Sequence, residues 1–189
     1  MKQKIPAETS ARHIHLSKRD FEKLFGKKLS LVPIRKLSQP GEFASKEKVE
    51  IINEKNKLGL RVVGPFRKES QVEISLTEAY NLNLNPLPKI RISGNIEGTT
   101  KVLIKGPRGQ LRIPVIIAQR HLHCSEKDAK ILKLKNNQLI KIKISGKRGL
   151  TFDNVTVRIK ENFKTALHLD TDEANAAGIS EKAFGEIAK

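Results

Sequence analysis

The five histidines of this 189-residue chain are not scattered. Ala11-Arg12-His13-Ile14-His15-Leu16-Ser17 recurs as Gln119-Arg120-His121-Leu122-His123-Cys124-Ser125. The match runs on, with Ser17-Lys18-Arg19-Asp20 against Ser125-Glu126-Lys127-Asp128, and Leu24 and Leu132 at the same offset. A second repeated segment holds the fifth histidine. Glu73-Ile74-Ser75-Leu76-Thr77-Glu78-Ala79 aligns with His168-Leu169-Asp170-Thr171-Asp172-Glu173-Ala174, so Glu73 takes the place of His168. Each half therefore offers His-x-His and, later, a third ligand.

The spacing dictates what must hold these residues. On a helix, positions i and i+2 point roughly 200° apart and cannot share a metal ion. On a strand they share a face. His-x-His is a two-ligand pincer only if it is extended, and Ile116-Ile117-Ala118 before the second motif agrees with a strand. Imidazole and carboxylate both suit Zn²⁺, and three protein ligands with an open position describe a catalytic site. The expected sets are His13, His15 and Glu73, and His121, His123 and His168, for two divalent ions, with Zn²⁺ the first choice and cobalt, iron or manganese as substitutes.

Strand signals dominate the rest of the chain. Residues 48–53 and 58–63 flank Asn53-Glu54-Lys55-Asn56, 101–104 and 111–118 flank Gly106-Pro107-Arg108-Gly109, and 138–144 and 150–159 flank Ser145-Gly146-Lys147-Arg148-Gly149. Each reads as a hairpin, because turn formers separate alternating segments. Residues 71–76, 89–93 and 165–169 read as further short strands. Helical segments are few and short. Ser17 and Ser125 suit N-caps with Asp20 and Asp128 in the first turn. Another helix is expected at Leu76-Thr77-Glu78-Ala79, and one capped by Asp170 or Thr171 should end at Gly178. The fold class is mostly β, barrels or sandwiches, with an internal duplication.

Composition narrows the partners. Lys and Arg total 37 against 20 Asp and Glu, a formal net charge of +17. Such an excess points to nucleic acid, an anionic membrane surface or phosphate-bearing small molecules, or to no more than a solvated Lys-rich surface. A nucleic-acid binder would need aromatic platforms or a groove-reading helix, and seven Phe, one Tyr and no Trp with no motif around them speak against it. A single cysteine excludes an internal disulfide and a Cys-rich zinc module. No apolar run approaches the ~18 residues of a membrane span, and the N-terminus lacks a signal-peptide core.

The segments SARHIHLS (10–17), QPGEFA (39–44), GPFRKESQVEIS (64–75), AQRHLHCS (118–125) and HLDTDEANAAG (168–178) resemble the phosphate propanoyltransferase family, the PduL-type phosphotransacylases. They span nearly the whole chain in order. The resemblance implies interconversion of acyl-CoA plus phosphate with acyl phosphate plus CoA, the acyl group being propanoyl or acetyl. It implies two β-barrel domains capped by short α-helices, with the active site at their interface. Residues 1–11 and 119–189 would form one barrel, and 12–118 the other. It carries two metals onto the same six ligands and a phosphate-contacting arginine onto Arg67. One mild departure is Glu42, where the family more often has Gln.

Some residues fall outside the expected chemistry. Alternation places Cys124 on the strand face opposite His121 and His123, against a nucleophile role. Arg12 and Arg120 alternate away from the histidines too. The helix starts at Ser17 and Ser125 are secondary anion sites by expectation, and Arg108 and Lys147-Arg148 are options for CoA phosphates. The competing activity is a dimetal thioester hydrolase, which would not depend on phosphate. The partners expected are acyl-CoA or CoA and phosphate or acyl phosphate, with no nucleic acid and no membrane; a homo-oligomer is compatible. The N-terminus shows no microcompartment-targeting repeat, so the expected location is cytoplasmic.

Overall fold

The computed structural model describes residues 4–180 and 183–188. In chain order the elements are β1 (Ile5–Thr9), β2 (His13–His15), α1 (Lys18–Phe25), β3 (Pro33–Lys36), β4 (Phe43–Asn53), β5 (Asn56–Gly64) and β6 (Gln71–Ile74). Then come α2 (Leu76–Asn81), β7 (Ile90–Arg91), β8 (Lys101–Lys105), β9 (Gln110–Ala118), β10 (His121–Cys124) and α3 (Glu126–Leu132). The chain ends with β11 (Leu139–Ile144), β12 (Leu150–Ile159), β13 (Ala166–Leu169), α4 (Thr171–Ala176) and β14 (Ala183–Ala188). No described helix is long and apolar enough to cross a membrane.

The chain divides into two compact units, residues 1–11 with 119–189, and residues 12–118. In the first, β1-β13-β10-β12-β11-β14 close into a barrel. In the second, β9, β6, β2, β5, β4 and β8 pair in a ring, since β8 bonds both β4 and β9. The fold is therefore two six-stranded barrels with short helices. The strand leading into each His-x-His segment belongs to the other unit's barrel: β1 precedes β2, and β9 precedes β10.

The pairing senses repeat strand for strand. β2 is parallel to β5 and antiparallel to β6, and β10 is parallel to β12 and antiparallel to β13. β6 runs parallel to β9, and β13 parallel to β1. A register shift breaks the β4–β5 pair between Ala44 and Lys48, and another breaks the corresponding β11–β12 pair between Ile140 and Ile142. Such bulges bend a strand and help a small sheet to close.

Alternation sorts each barrel into core and outer wall. Ile14, Val62, Val72 and Val115 are register partners and fully buried in one core. Leu122, Val157 and Leu167 are the equivalents in the other. The residue between the two histidines thus points inward in both units and anchors the pair, each such side chain contributing about 1.5–3 kcal/mol by burial. The histidines consequently project from the outer wall.

All four strands that carry the expected ligands run straight into a helix. Ser17, Ser75, Ser125 and Asp170 cap α1, α2, α3 and α4, each accepting from a backbone N–H three residues on. Ser75 with Glu78, and Asp170 with Glu173, form full capping boxes. The strand ends are thereby held at defined positions. β1 falls in the N-terminal segment that the family resemblance assigned to the same barrel as residues 119–189, whereas β3 and β14 had no expected counterpart, and the segment 89–93 forms a strand only at Ile90–Arg91.

Candidate metal centres and the arginine beside the first

His13 and Glu73 are register partners across β2 and β6, and His15 faces Gln71. These three candidate ligands converge. His13 Nε2 lies 3.1 Å from His15 Nε2, and Glu73 Oε1 lies 3.7 Å from the former and 3.8 Å from the latter. His15 Nδ1 sits 3.2 Å from the Val63 carbonyl, which orients the ring. His15 and Glu73 are buried.

In the unit formed by residues 1–11 and 119–189, His121 and His168 are register partners across β10 and β13. His121 Nε2 lies 3.1 Å from His123 Nε2, and His121 Nδ1 sits 2.9 Å from the Gln119 carbonyl. In both clusters the donor atoms lie within 4.8 Å of one another. Each expected ligand is therefore beside the two it was grouped with.

Electrostatics suits a divalent cation in both places. Burial, then His13, holds the His15 imidazole well below its ordinary range despite Glu73. Burial, then His121 and His168, depresses His123 likewise. Neutral imidazoles are the form that ligates. Burial alone would raise the Glu73 carboxyl, but His13, His15, the Ser93 hydroxyl and Arg67 outweigh it and bring it down to about 2. Among the described residues three buried side-chain polar atoms lack a hydrogen-bond partner, and two of them are His123 Nδ1 and His168 Nε2. Buried donors without partners, neutral imidazoles and an ionised carboxylate fit a metal with nitrogen and oxygen ligands.

Arg67 reaches the first cluster through a polar relay. Its Nη1 donates to Ser93 Oγ at 2.8 Å, and Ser93 Oγ donates to Glu73 Oε1 at 2.6 Å. Gln71 Nε2 donates to both Glu73 Oε1 at 2.5 Å and Ser93 Oγ at 2.7 Å, while Gln71 Oε1 accepts from the Gly94 N–H. Arg67 Nη2 donates to Glu42 Oε1 at 3.3 Å. Sequence reasoning did not find Gln71 or Ser93. Gln71 shares the strand face of Glu73, a period-two signal that was available. Ser93 lies in a turn and had none. Glu42, the one departure from the family pattern, turns out to face the arginine.

Arg12 and Arg120 are structural clamps. Arg12 Nη1 pairs with Glu78 at 2.9 Å and its Nε donates to the Gly59 carbonyl. Arg120 Nη1 pairs with Glu173 at 2.6 Å and its Nε donates to the Asp153 carbonyl. Each ties the start of a His-x-His strand to the helix that follows the third ligand. The starts of α1 and α3 already hold an anion: Asp20 accepts from Ser70 Oγ at 2.7 Å, and Asp128 from Thr165 Oγ1 at 2.5 Å. A second carboxylate or phosphate there would be repelled.

Arg148 and Arg108 also have structural neighbours. Arg148 donates to the Ala176 carbonyl at the end of α4 and packs on Gly178. The Arg108 side chain lies over Gly26 at the end of α1. Cations at helix C-termini are stabilising there. Cys124 is buried in the barrel core, and burial raises its thiol despite a contact from Thr165.

Comparison with known proteins agrees with the sequence resemblance. The family described as phosphate propanoyltransferase matches residues 6–180. A phosphate propanoyltransferase of Thermotoga maritima is 47% identical over 172 residues, covering 89% of this chain and 81% of that protein. One from Clostridioides difficile is 41% identical over 98% of this chain and 89% of its own length. One from Salmonella typhimurium is 42% identical over 92% and 83% respectively.

Proposed function

We propose, from the premise that this chain belongs to the phosphate propanoyltransferase family and is an acyltransferase, that it interconverts acyl-CoA plus phosphate with acyl phosphate plus CoA at a dimetal site. The acyl group is propanoyl or acetyl, which differ by one methylene and are weakly discriminated by a pocket. The observation that carries this reading is the pair of three-ligand clusters in matching register, one of them linked to Arg67 through Ser93.

His13, His15 and Glu73 would hold one divalent ion, and His121, His123 and His168 the other, Zn²⁺ being the first candidate. Bound dications would supply Lewis-acid stabilisation of the carbonyl oxygen and of the departing thiolate. The chain's own groups do the rest. Arg67 binds phosphate, its planar fork matching two oxygens. Ser93 fixes that fork before substrate arrives, so little orientation is lost on binding. Glu73 stays ionised and serves as a ligand, leaving it unavailable as a general base.

Phosphate carries its own nucleophilic oxygen at neutral pH, so no side chain has to remove a proton. The new C–O bond forms as the C–S bond breaks, and CoA leaves as the thiolate. Cys124 is buried and its thiol is held protonated, so an acyl-cysteine intermediate has no place in this reading. The test is substitution at each cluster. Glu73→Ala and His121→Ala should each lower phosphate-dependent thiol release at least 100-fold, a barrier increase of about 2.7 kcal/mol. Wild-type turnover in both folded variants would refute the dimetal assignment.

A further inference from the structure

Two loops lead into the strands of the third ligands, one from β5 to β6 and the other from β12 to β13, and they match at both ends. Their far ends are alike. The Ser17 N–H donates to Ser70 Oγ at 2.9 Å, and Ser70 Oγ donates to Asp20. The Ser125 N–H donates to Thr165 Oγ1 at 3.2 Å, and Thr165 Oγ1 donates to Asp128. Their near ends are alike too. The Arg67 N–H donates to the Leu16 carbonyl at 2.9 Å, and the Lys160 N–H to the Cys124 carbonyl at 3.2 Å. Leu16 and Cys124 each follow the second histidine of their motif. By this backbone contact Lys160 takes the place of Arg67.

The stretch 160–165 is longer than 67–70, and it brings in Phe163. The Phe163 N–H donates to the Lys160 carbonyl at 3.2 Å, closing a turn. The Phe163 ring stacks on His123, with centroids 4.3 Å apart and planes 23° from parallel. Lys160 Nζ stands 5.3 Å from the Phe163 centroid, and Arg158 Cζ 6.0 Å from it. A cation over an aromatic face is attracted to it, so the ring gathers both charges beside a cluster histidine. Arg158 is also the register partner of His123 on β12, which puts both on the outer wall. Lys160 is exposed and Arg158 half-buried, so a ligand can reach them.

We propose that Lys160, with Arg158 beside it, binds a phosphoryl group at the second cluster, the counterpart of the role proposed for Arg67 at the first. The proposal rests on the acyltransferase reading above and deepens it. Both substrates of that reading carry phosphate, one as the free ion and one as the phosphate groups of CoA. The ammonium is a point charge on a flexible stem, so it holds such a group by charge rather than by a fixed fork.

The test uses the metal-loaded full-length chain, with CoA and inorganic phosphate titrated separately by calorimetry. Lys160→Gln should weaken CoA or inorganic phosphate by about fivefold or more, with metal content and melting temperature unchanged. Lys160→Arg should restore the affinity. A loss for CoA assigns the bound group to the phosphates of CoA, and a loss for inorganic phosphate assigns it to the free ion. Lys55→Gln removes the same charge from the turn between β4 and β5, and it should bind both probes as the wild type does. Wild-type affinity for both probes in Lys160→Gln would overturn the proposal alone. Equal weakening in Lys55→Gln, or no recovery in Lys160→Arg, would also overturn it. Metal loss in Lys160→Gln would overturn it too, making Lys160 a support of the cluster. A wild type that binds neither probe would overturn the acyltransferase reading, and the proposal with it.

Discussion

Ser93 Oγ stands 2.6 Å from Glu73 Oε1 and at the same time accepts from Arg67 Nη1. One hydroxyl therefore couples the arginine proposed to bind phosphate to a proposed metal ligand. Ser93→Ala should raise the KM for phosphate and weaken one of two bound metal ions, with kcat/KM down about 5- to 30-fold, the equivalent of about 1–2 kcal/mol. The melting temperature should stay near wild type. A fall in stability with unchanged phosphate KM would show that Ser93 only supports the fold. Steady-state kinetics at varied phosphate, with metal analysis, separates the cases.

On the proposed reading, Glu42 competes with phosphate for Arg67. Its carboxylate lies 3.3 Å from Nη2, and both side chains are about a third exposed. An incoming phosphate must displace it or bear its repulsion. Glu42→Gln keeps the shape and removes the charge, so the KM for phosphate should fall several-fold with the KM for acyl-CoA little changed. Initial rates at fixed acyl-CoA measure this directly.

The clamps Arg12–Glu78 and Arg120–Glu173 should contribute stability rather than chemistry. Removing Arg120 leaves Glu173 partly buried with its Asp170 neighbour, which together already raise its carboxyl. Arg120→Ala should cost about 1–2 kcal/mol in denaturant unfolding, discounted for the 30% exposure of the arginine. Metal stoichiometry should be retained.

Much of this was legible in the sequence, and the reason is physical. Duplication exposed the ligand sets because two copies of His-x-His on strands share one geometric solution. Hairpins showed because β4, β5, β11 and β12 alternate for much of their length. The missing strands lacked that signal. β3 is exposed at every position, so nothing alternates. β14 needs Gly185, where a Cβ would meet Ile142 Cγ2 at 2.5 Å, and this breaks its pattern. Ser93 and Glu42 meet Arg67 from distant parts of the chain. Only the fold brings them together.

Acid should destabilise the metal-free protein earlier than carboxylate titration would. His15 and His123 are held neutral in the folded state, their imidazoles pushed below 6.5. Below about pH 6.5 the unfolded chain takes up protons that the folded chain refuses, so stability is full above that pH and is lost as pH falls. Thermal unfolding of the metal-free chain should show a decline between about pH 7 and pH 5. His123→Gln should flatten it. Metal loading should oppose the decline, since ligation also holds the imidazoles unprotonated.

Phosphate-dependent thiol release tests the central claim most directly. Metal-loaded protein is mixed with propanoyl-CoA or acetyl-CoA, with and without phosphate, and free CoA thiol is followed. Attack of phosphate on the thioester requires release that rises and saturates with phosphate, with acyl phosphate formed one for one, and that stops when a chelator strips the metal. Release at the same rate without phosphate would contradict acyl transfer to phosphate and identify a thioester hydrolase instead.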